Sequence, residues 1–479
     1  MVTESENSLV KRATNFAELS LAGKQRFSGE EFLEHCLKVA RILKRFAVND
    51  PTTLAVAILH HSISHGAATE EDLRKEFGEE ISSMVKSLDG LRVIKVVGSD
   101  EKQFAENLRK MFLALARDLR VVLIKLCDIY DNLQTLDYLP KDKQIENARE
   151  TLEVFAPLAE RLGIGELKGE MQDLAFKYLY PEDFIRVTKM LSSFRESLEE
   201  TESQIRQSLE KALQREGIGF RVESRIKHLY SLFMKLKRPE IDFDLSKVYD
   251  LVAFRVIVAD TEDCYKTLGI VHKLWQPMPG KISDFIAHPK PNGYQSIHAR
   301  IIGPDNHPFE IQIRSEKMHE QAEYGVAAHW HYAEKKAEGA SDEKLTVGVS
   351  ADVQKLDWVK RLSSWQEEVL DNEEFLESVK TEFFGQRVFV FTPKGDVKDL
   401  PSGASPVDFA YAVHTGLGSL TMGARVNGKM VPLNTKLKNG DVCEIILSKD
   451  KTKKPNRDWL SFVVTATARK KIKKALSNL

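Results

Sequence analysis

Four cysteines in 479 residues (Cys36, Cys127, Cys264 and Cys443) stand singly, with no CxxC pair among them. Their spacing speaks against a cysteine-ligated zinc site and against a disulfide-stabilised secreted scaffold, so a reducing, cytoplasmic compartment is expected. No stretch approaches 18 uninterrupted apolar residues, and the opening MVTESENSLVKRATNF lacks an apolar signal core. Neither a membrane span nor export is expected. Net charge is also missing, since 70 Lys and Arg against 71 Asp and Glu leave -1. Bulk affinity for nucleic acid is therefore not expected, and any polyanion site has to be a local patch. What remains is a soluble composition, 42% hydrophobic and 29% charged, long enough for several cored domains.

The text changes period along the chain. Residues 1–190 read as helix throughout: Glu31–Leu43, Thr53–His61, Glu71–Leu88, Phe104–Leu136 and Asn147–Tyr180 repeat apolar positions at helical spacing. A charged helical stretch around 195–215 leads into mixed α/β text at 191–335. A polar linker and further helical text, with Trp358 and Trp365, fill 336–384. From 385 to 449 the period falls to 2. Arg387–Thr392 and Val397–Leu400 predict strands, Pro406–His414 a helix with proline in its first turn, and Arg425–Val431 a hairpin on an Asn-Gly turn. This is a compact β-grasp-like pattern. Residues 450–479 form a basic tail with Arg457, Arg469, Lys470, Lys471, Lys473 and Lys474. It is equally a phosphate-binding patch or a solvated helix face.

The chemistry concentrates between Val248 and Tyr332. In Ser296–Ile301 the polar side chains Ser296, His298 and Arg300 alternate with apolar ones, and Phe309–Arg314 does the same with Glu310, Gln312 and Arg314. A Gly-Pro turn between them predicts an antiparallel pair with one polar face. Taken alone, that face is either solvated and laced with salt pairs or the wall of a cleft. Asp250, at the mouth of the very apolar strand Leu251–Val258, favours a cleft suited to a nucleotide and a metal.

Several motifs fall in one order: YDLVAFRVIV, LWQPMPGK, HPKPNGYQSIH, EIQIRSEKMHEQAEYGVAAHW and VFVFTPKGDVKDLPSGASPVDFAYAVHTGLG. Together they resemble the long RelA/SpoT homologues, the family of (p)ppGpp synthetases and hydrolases of the stringent response. The resemblance implies a multidomain fold: an all-α HD-type hydrolase domain, an α/β nucleotidyltransferase-like synthetase domain and a TGS domain. The family's further C-terminal regions have no counterpart in this sequence, so a weak grip on the ribosome, or none, is expected.

The resemblance implies transfer of the β,γ-pyrophosphate of ATP to the 3'-hydroxyl of GDP or GTP, releasing AMP. Asp250 and Glu310 match the catalytic acids, and as hard oxygen donors they would hold Mg²⁺ on the phosphates. Glu310 would alternatively orient or deprotonate the hydroxyl. Arg225-Ile226-Lys227-His228 resembles the family's Arg-Pro-Lys-His, whose Arg and Lys contact ATP. Tyr294 matches the tyrosine that stacks on guanine, and His298 and Arg314 match phosphate-side positions. One departure stands out. Lys281-Ile282-Ser283-Asp284 replaces the Arg-x-Lys-Asp or Glu-x-Asp-Asp of the family, which leaves the choice between GDP and GTP open.

The hydrolase motif is degenerate. Family hydrolases hold Mn²⁺ with a His, a His-Asp pair and a later Asp; here the series is His35, His60-His61 and Asp128. The following Glu-Asp pair has become Ser64-His65, while Arg26, Asn132 and Thr135 match substrate-side positions. Three imidazoles and one carboxylate shift preference from Mn²⁺ toward Zn²⁺ or Ni²⁺. The expectation is a pseudo-hydrolase domain, holding either no metal or a divalent ion such as Mn²⁺ or Zn²⁺, and retained as an inhibitory clamp or effector pocket. In the TGS region His414 matches a histidine near the tRNA 3' end, and equally fits a cap on the C-terminus of its own helix, where a cation is favoured. The expected partners are ATP and GDP or GTP, with tRNA or ribosome contact weak, no membrane, and oligomeric state open. Two other functions are carried alongside: residual metal-dependent (p)ppGpp hydrolysis, and a non-catalytic guanine-nucleotide-binding regulator.

Overall fold

A computed structural model describes residues 4–91, 101–248, 250–290, 293–304, 308–325, 379, 381, 387–438, 440–450 and 453–477. The motif His329–Tyr332 and nearly all of 336–384 lie outside the described residues. The chain divides into two compact units. One comprises Met1–Ile282 with Ile297–Asn372, the other Ser283–Ser296 with Glu373–Leu479.

The first unit begins with ten helices: α1 Glu4–Ser20, α2 Phe32–Arg45, α3 Pro51–Leu59, α4 Glu70–Gly90, α5 Glu101–Arg117, α6 Leu119–Gln134, α7 Lys141–Glu150, α8 Ala156–Arg161, α9 Gly165–Leu179 and α10 Pro181–Arg215. Helix α3 organises them. Asp50 caps it by accepting the Thr53 N–H at 2.9 Å, and Pro51 opens its first turn. Its sequence, PTTLAVAIL, is apolar nearly all round, so only a central position satisfies it. Thr53 to Leu59 are all buried, with α1, α2, α4 and α6 packed around them. Helix α4 starts on a reciprocal Thr69–Asp72 capping box. Helix α10 runs unbroken for 35 residues and passes through residue 190.

The helical part and the sheet part share a core. Phe176 of α9 and Val187 of α10 pack with Leu232, Phe233 and Leu236 of α11 (Leu229–Leu236) and with Val248 and Leu251. Phe176 and Phe233 stack at 4.8 Å between centroids. The sheet runs β1 (Phe220–Ile226), β2 (Val252–Val258), β5 (Pro308–Ser315), β4 (Ile297–Ile302), β3 (Pro277–Asp284). Strand β2 is antiparallel to β1 and parallel to β5, and β5 is antiparallel to β4. Helix α12 (Thr261–Leu274) packs on β4 and β5, and α13 (Glu316–Tyr324) packs on β2 and β5.

The hairpin expected between 296 and 314 forms, with His298 opposite Gln312 and Arg300 opposite Glu310. Its first strand starts at Ile297, however. Ser296 belongs to the other unit, where its carbonyl accepts the Phe285 N–H.

In the second unit β6 (Arg387–Phe391) pairs with β7 (Val397–Pro401), and β8 (Thr421–Val426) pairs with both β9 (Lys429–Val431) and β10 (Cys443–Leu447). Asn427 and Gly428, at φ of 51° and 79°, make the β8–β9 turn that the Asn-Gly pair predicts. Helix α14 (Pro406–Val413) starts on a Ser405–Asp408 capping box, α15 (Thr415–Leu420) follows, and α16 (Ala466–Ser477) ends the described chain. The basic tail is no appendage. Trp459, Val463, Ala468 and Ile472 form one core with Val407 and Tyr411. Asp408 ties the two parts, accepting the Val464 N–H, the Thr465 N–H and the Thr465 hydroxyl at 2.8–3.1 Å.

Candidate functional site

The sheet register sets the first site. Arg225 pairs with Ala253, Ala253 with Glu310, and Glu310 with Arg300, so these side chains form one row across four strands on one face. The next row is Glu223, Arg255, Gln312 and His298. Asp250 precedes β2 beside the end of the first row, where the Lys227 N–H bonds the Leu251 carbonyl. The structure therefore brings together both predicted acids, Asp250 and Glu310, with Arg225, Lys227 and His298.

Lys227 reaches Asp250 Oδ2 at 3.1 Å, and Lys235 reaches Oδ1 at 2.6 Å. Burial and the nearby Glu310 carboxylate raise the Asp250 pKa, but the two ammonium groups outweigh them and hold it below its ordinary value. Glu310 is 5% exposed. Gln312 Nε2 lies 2.9 Å away, Arg300 Nε 3.3 Å and His298 Nδ1 3.4 Å. Against the effect of burial, these partners keep the Glu310 carboxyl well below the usual range. Burial lowers the Lys235 pKa, helped by Lys227 and Arg300. Two ionised carboxylates among three cations form a polar cluster whose donors suit a hard cation and whose cations suit phosphate.

Lys235 and Arg300 were not singled out as site residues by the sequence. Lys235 follows Lys227 by eight positions, and only the turn into α11 brings both onto Asp250. Arg314, in contrast, lies apart from the acids. It shares their face but stands four residues along β5 from Glu310, about 13 Å. It is 1% exposed and bonds Glu323 of α13 at 2.9 Å. Arg255 joins the same glutamate at 3.1 Å.

The Arg225–His228 segment is anchored by α9. His228 Nδ1 is 3.0 Å from Asp173 Oδ2, and its Nε2 is 3.7 Å from Glu166 Oε2. Arg225 also approaches Glu166, at 4.0 Å. Burial lowers the His228 pKa, but the two carboxylates lift it to about 9.

Tyr294, Ser283 and Asp284 belong to the second unit. Tyr294 is half-buried in the turn after β3, edge-on to Phe285 at 6.1 Å, with Lys290 Nζ 4.9 Å from its ring. Asp284 closes the same turn by accepting the Ile286 and Ala287 N–H groups, each at 2.9 Å. Lys281 lies on β3, and its side chain is outside the described residues. His414 follows α14, and its Nδ1 accepts the Gly416 N–H at 3.1 Å, so it caps the start of α15 and not, as a cation, the C-terminus of its own helix.

A second constellation occupies the helical part. His35 on α2, His60 and His61 at the end of α3, and Asp128 on α6 are all buried, and one ligand atom from each falls within 4.8 Å of all the others. These four donors form a set able to hold a divalent ion. Beside it lies a cavity of about 420 Å³ lined by Arg26, Phe32, His61, His65 and Asn132, among others. Arg26 bonds Asn132, Asp131 and Glu30. Ser64 and His65 supply no carboxylate. The Ser64 hydroxyl is buried without a hydrogen-bond partner among the described residues, and His65 stacks on Phe32 at 4.2 Å.

Comparison with known proteins agrees with this architecture. An HD domain matches residues 13–165, the region found in RelA / SpoT proteins matches 224–337, and a TGS domain matches 388–447. The GTP pyrophosphokinase of Myxococcus xanthus is 43% identical over 468 residues, 97% of this chain and 60% of that protein. The GTP pyrophosphokinase of Streptomyces coelicolor is 43% identical over 97% of this chain and 55% of its own length. The bifunctional (p)ppGpp synthase/hydrolase SpoT of Escherichia coli is 42% identical over 95% of this chain and 63% of its own. The chain thus spans roughly three-fifths of the length of these curated relatives. Among the described residues no helix is long and apolar enough to cross a membrane. With HD, synthetase and TGS regions in that order, the chain belongs to the RelA/SpoT family.

Proposed function

We propose that this chain is a Mg²⁺-dependent (p)ppGpp synthetase that moves the terminal pyrophosphate of ATP onto the 3'-hydroxyl of GDP or GTP. The observation that carries the reading is the pairing of two ionised carboxylates, Asp250 and Glu310, with Lys227, Lys235 and Arg300 at one end of the sheet. The donors suit a hard cation, and Asp250 and Glu310 would hold it; bound there, Mg²⁺ neutralises phosphate charge and aligns the transferred group.

The chain's own residues do the remaining work. Lys227 and Lys235 now rest on Asp250, and both turn to the ATP phosphates when the nucleotide arrives. Arg225 lies in the Glu310 row and stacks its planar guanidinium on adenine. Glu310, kept ionised by His298, Gln312 and Arg300, orients the acceptor hydroxyl, whose proton passes to water as the new bond to phosphorus forms and AMP departs. Tyr294 is assigned to the guanine base, where stacking is worth about 1–3 kcal/mol. Hydrolysis is assigned no role, since Ser64-His65 replaces the carboxylates that would activate water.

The test is to incubate the purified chain with ATP, Mg²⁺ and either GDP or GTP, and to follow AMP and the 3'-pyrophosphorylated product. Product with either acceptor supports the reading. A folded protein that forms none with both refutes it.

A further inference from the structure

The Mn²⁺ that hydrolytic relatives carry in the HD region calls for two imidazoles and two carboxylates, and the residues here do not fit it. His61 replaces one carboxylate, and Lys125 Nζ sits 2.8 Å from the other, Asp128. A hard, weakly bound cation loses most of its attraction in such a set, whereas imidazole suits zinc.

The remaining donors are nevertheless arranged as ligands. His35 Nδ1 is 2.7 Å from Asp131 Oδ2, and His60 Nδ1 is 2.5 Å from the Ala57 carbonyl. Each contact fixes the ring so that Nε2 turns inward. The His60 Nε2 is buried without a hydrogen-bond partner among the described residues. Leaving a buried polar atom unsatisfied costs about 1–3 kcal/mol, so this atom, set among His35, His61 and Asp128, points to an absent occupant. His35 Nε2 and Asp128 Oδ1 are 3.3 Å apart. That is about the separation of two ligand atoms on a tetrahedral ion with bonds near 2.0–2.1 Å.

We propose that His35, His60, His61 and Asp128 form a four-ligand centre for a zinc-type ion, and that Asp131 is the carboxylate that orients His35. Hydrogen bonds of this kind behind a ligating histidine are a general feature of zinc sites. Four protein donors fill a tetrahedral zinc, whereas hydrolytic zinc keeps one position for water. The centre therefore clamps α2, α3 and α6 together and does not turn over substrate. Its Arg26–Asp131 and Asn132–Asp128 bonds, at 3.0 and 2.7 Å, connect the clamp to the adjoining cavity. The inference is independent of the synthetase reading, because it uses none of that site's residues.

The experiment uses the full chain, stripped with a strong chelator and then titrated separately with Zn²⁺, Mn²⁺ and Co²⁺. Bound metal, melting temperature and the visible spectrum of the cobalt form are read. The expected result is about one tightly held Zn²⁺ per chain, a higher melting temperature with Zn²⁺ than with equimolar Mn²⁺, and an intense tetrahedral cobalt band. Asp131→Asn is expected to weaken Zn²⁺ binding about 10–100-fold. His61→Asp, which keeps a ligand at that position, is expected to move preference toward Mn²⁺. Overturning results are no retained zinc with no thermal shift, a preference for Mn²⁺ in the unmodified chain, no tetrahedral cobalt band, or unchanged metal preference in His61→Asp.

Discussion

Replacing His228 by glutamine should remove a pH-dependent part of the first unit's stability. The ring bridges Asp173 and Glu166 of α9, and its pKa rises from 6.5 to about 9 because those carboxylates outweigh burial. A group whose folded pKa is raised stabilises fully below its unfolded value and loses that contribution as pH climbs through the folded one. At about 1.36 kcal/mol per unit, the full effect below pH ~6.5 is about 3 kcal/mol. The same relation leaves about 2 kcal/mol at pH ~7.5 and almost nothing at pH ~9.5. The depressed Glu166 pKa reports the same contact and is not added again.

Urea denaturation followed by far-UV circular dichroism checks this. Between those two pH values the unmodified chain should lose about 2 kcal/mol more than His228→Gln does. Gly169→Ala offers a second route, because a Cβ there would lie 2.2 Å from His228 Cδ2 and push the ring aside. Since His228 anchors the turn carrying Arg225 and Lys227, both variants should also raise KM for ATP several-fold. Parallel pH–stability profiles for the unmodified chain and His228→Gln would refute the reasoning.

Asp250→Asn and Glu310→Gln should each cut AMP release by about 100-fold or more with the fold intact, measured by steady-state turnover and circular dichroism. Lys235→Met should reduce kcat/KM for ATP by about 10-fold or more, which a kinetic series in ATP would show. Asp408→Ala should destabilise the second unit by about 3 kcal/mol or more, read from its unfolding midpoint, because five donors from Ser405, Val464 and Thr465 lose their acceptor. ppGpp incubated with the chain and Mn²⁺, Zn²⁺ or Ni²⁺ should release no pyrophosphate, and metal-dependent release abolished by His60→Ala would reverse the assignment of the HD region.

The sequence by itself determined the local elements and the faces of the strands. Period-2 alternation fixes which side a residue occupies, so the shared face of His298, Arg300, Glu310 and Gln312 followed from counting, while their pairing, Arg300 with Glu310 and His298 with Gln312, came from the register. An all-apolar α3 had to be central, and Asn427-Gly428 had to be a turn, since few other residues adopt positive φ cheaply. The family motifs supplied Asp250 and Glu310.

What alternation cannot tell is which partner covers a face. Arg314 shares its side with Glu310, yet Glu323 of α13 closes over it and makes it an internal ion pair. Lys235 and Asp250 lie 15 positions apart, and only the packing of α11 on Phe176 and Val187 brings them to 2.6 Å. Asp131 follows Asp128 by one helical turn, so its face was legible, but its role depends on His35 arriving from α2 at 2.7 Å. A boundary at residue 190 looked natural in composition, yet it falls inside the unbroken α10, whose Val187 packs with Leu232, Phe233 and Val248 from beyond that boundary. The basic tail read equally as a phosphate-binding patch or a solvated helix face, because its lysines and arginines cluster together. Ala468 and Ile472, four apart and on one helical face, carry it into the second unit's core. Local periodicity is set by backbone geometry within a few residues, whereas convergence of distant side chains is set by packing, which only the tertiary structure decides.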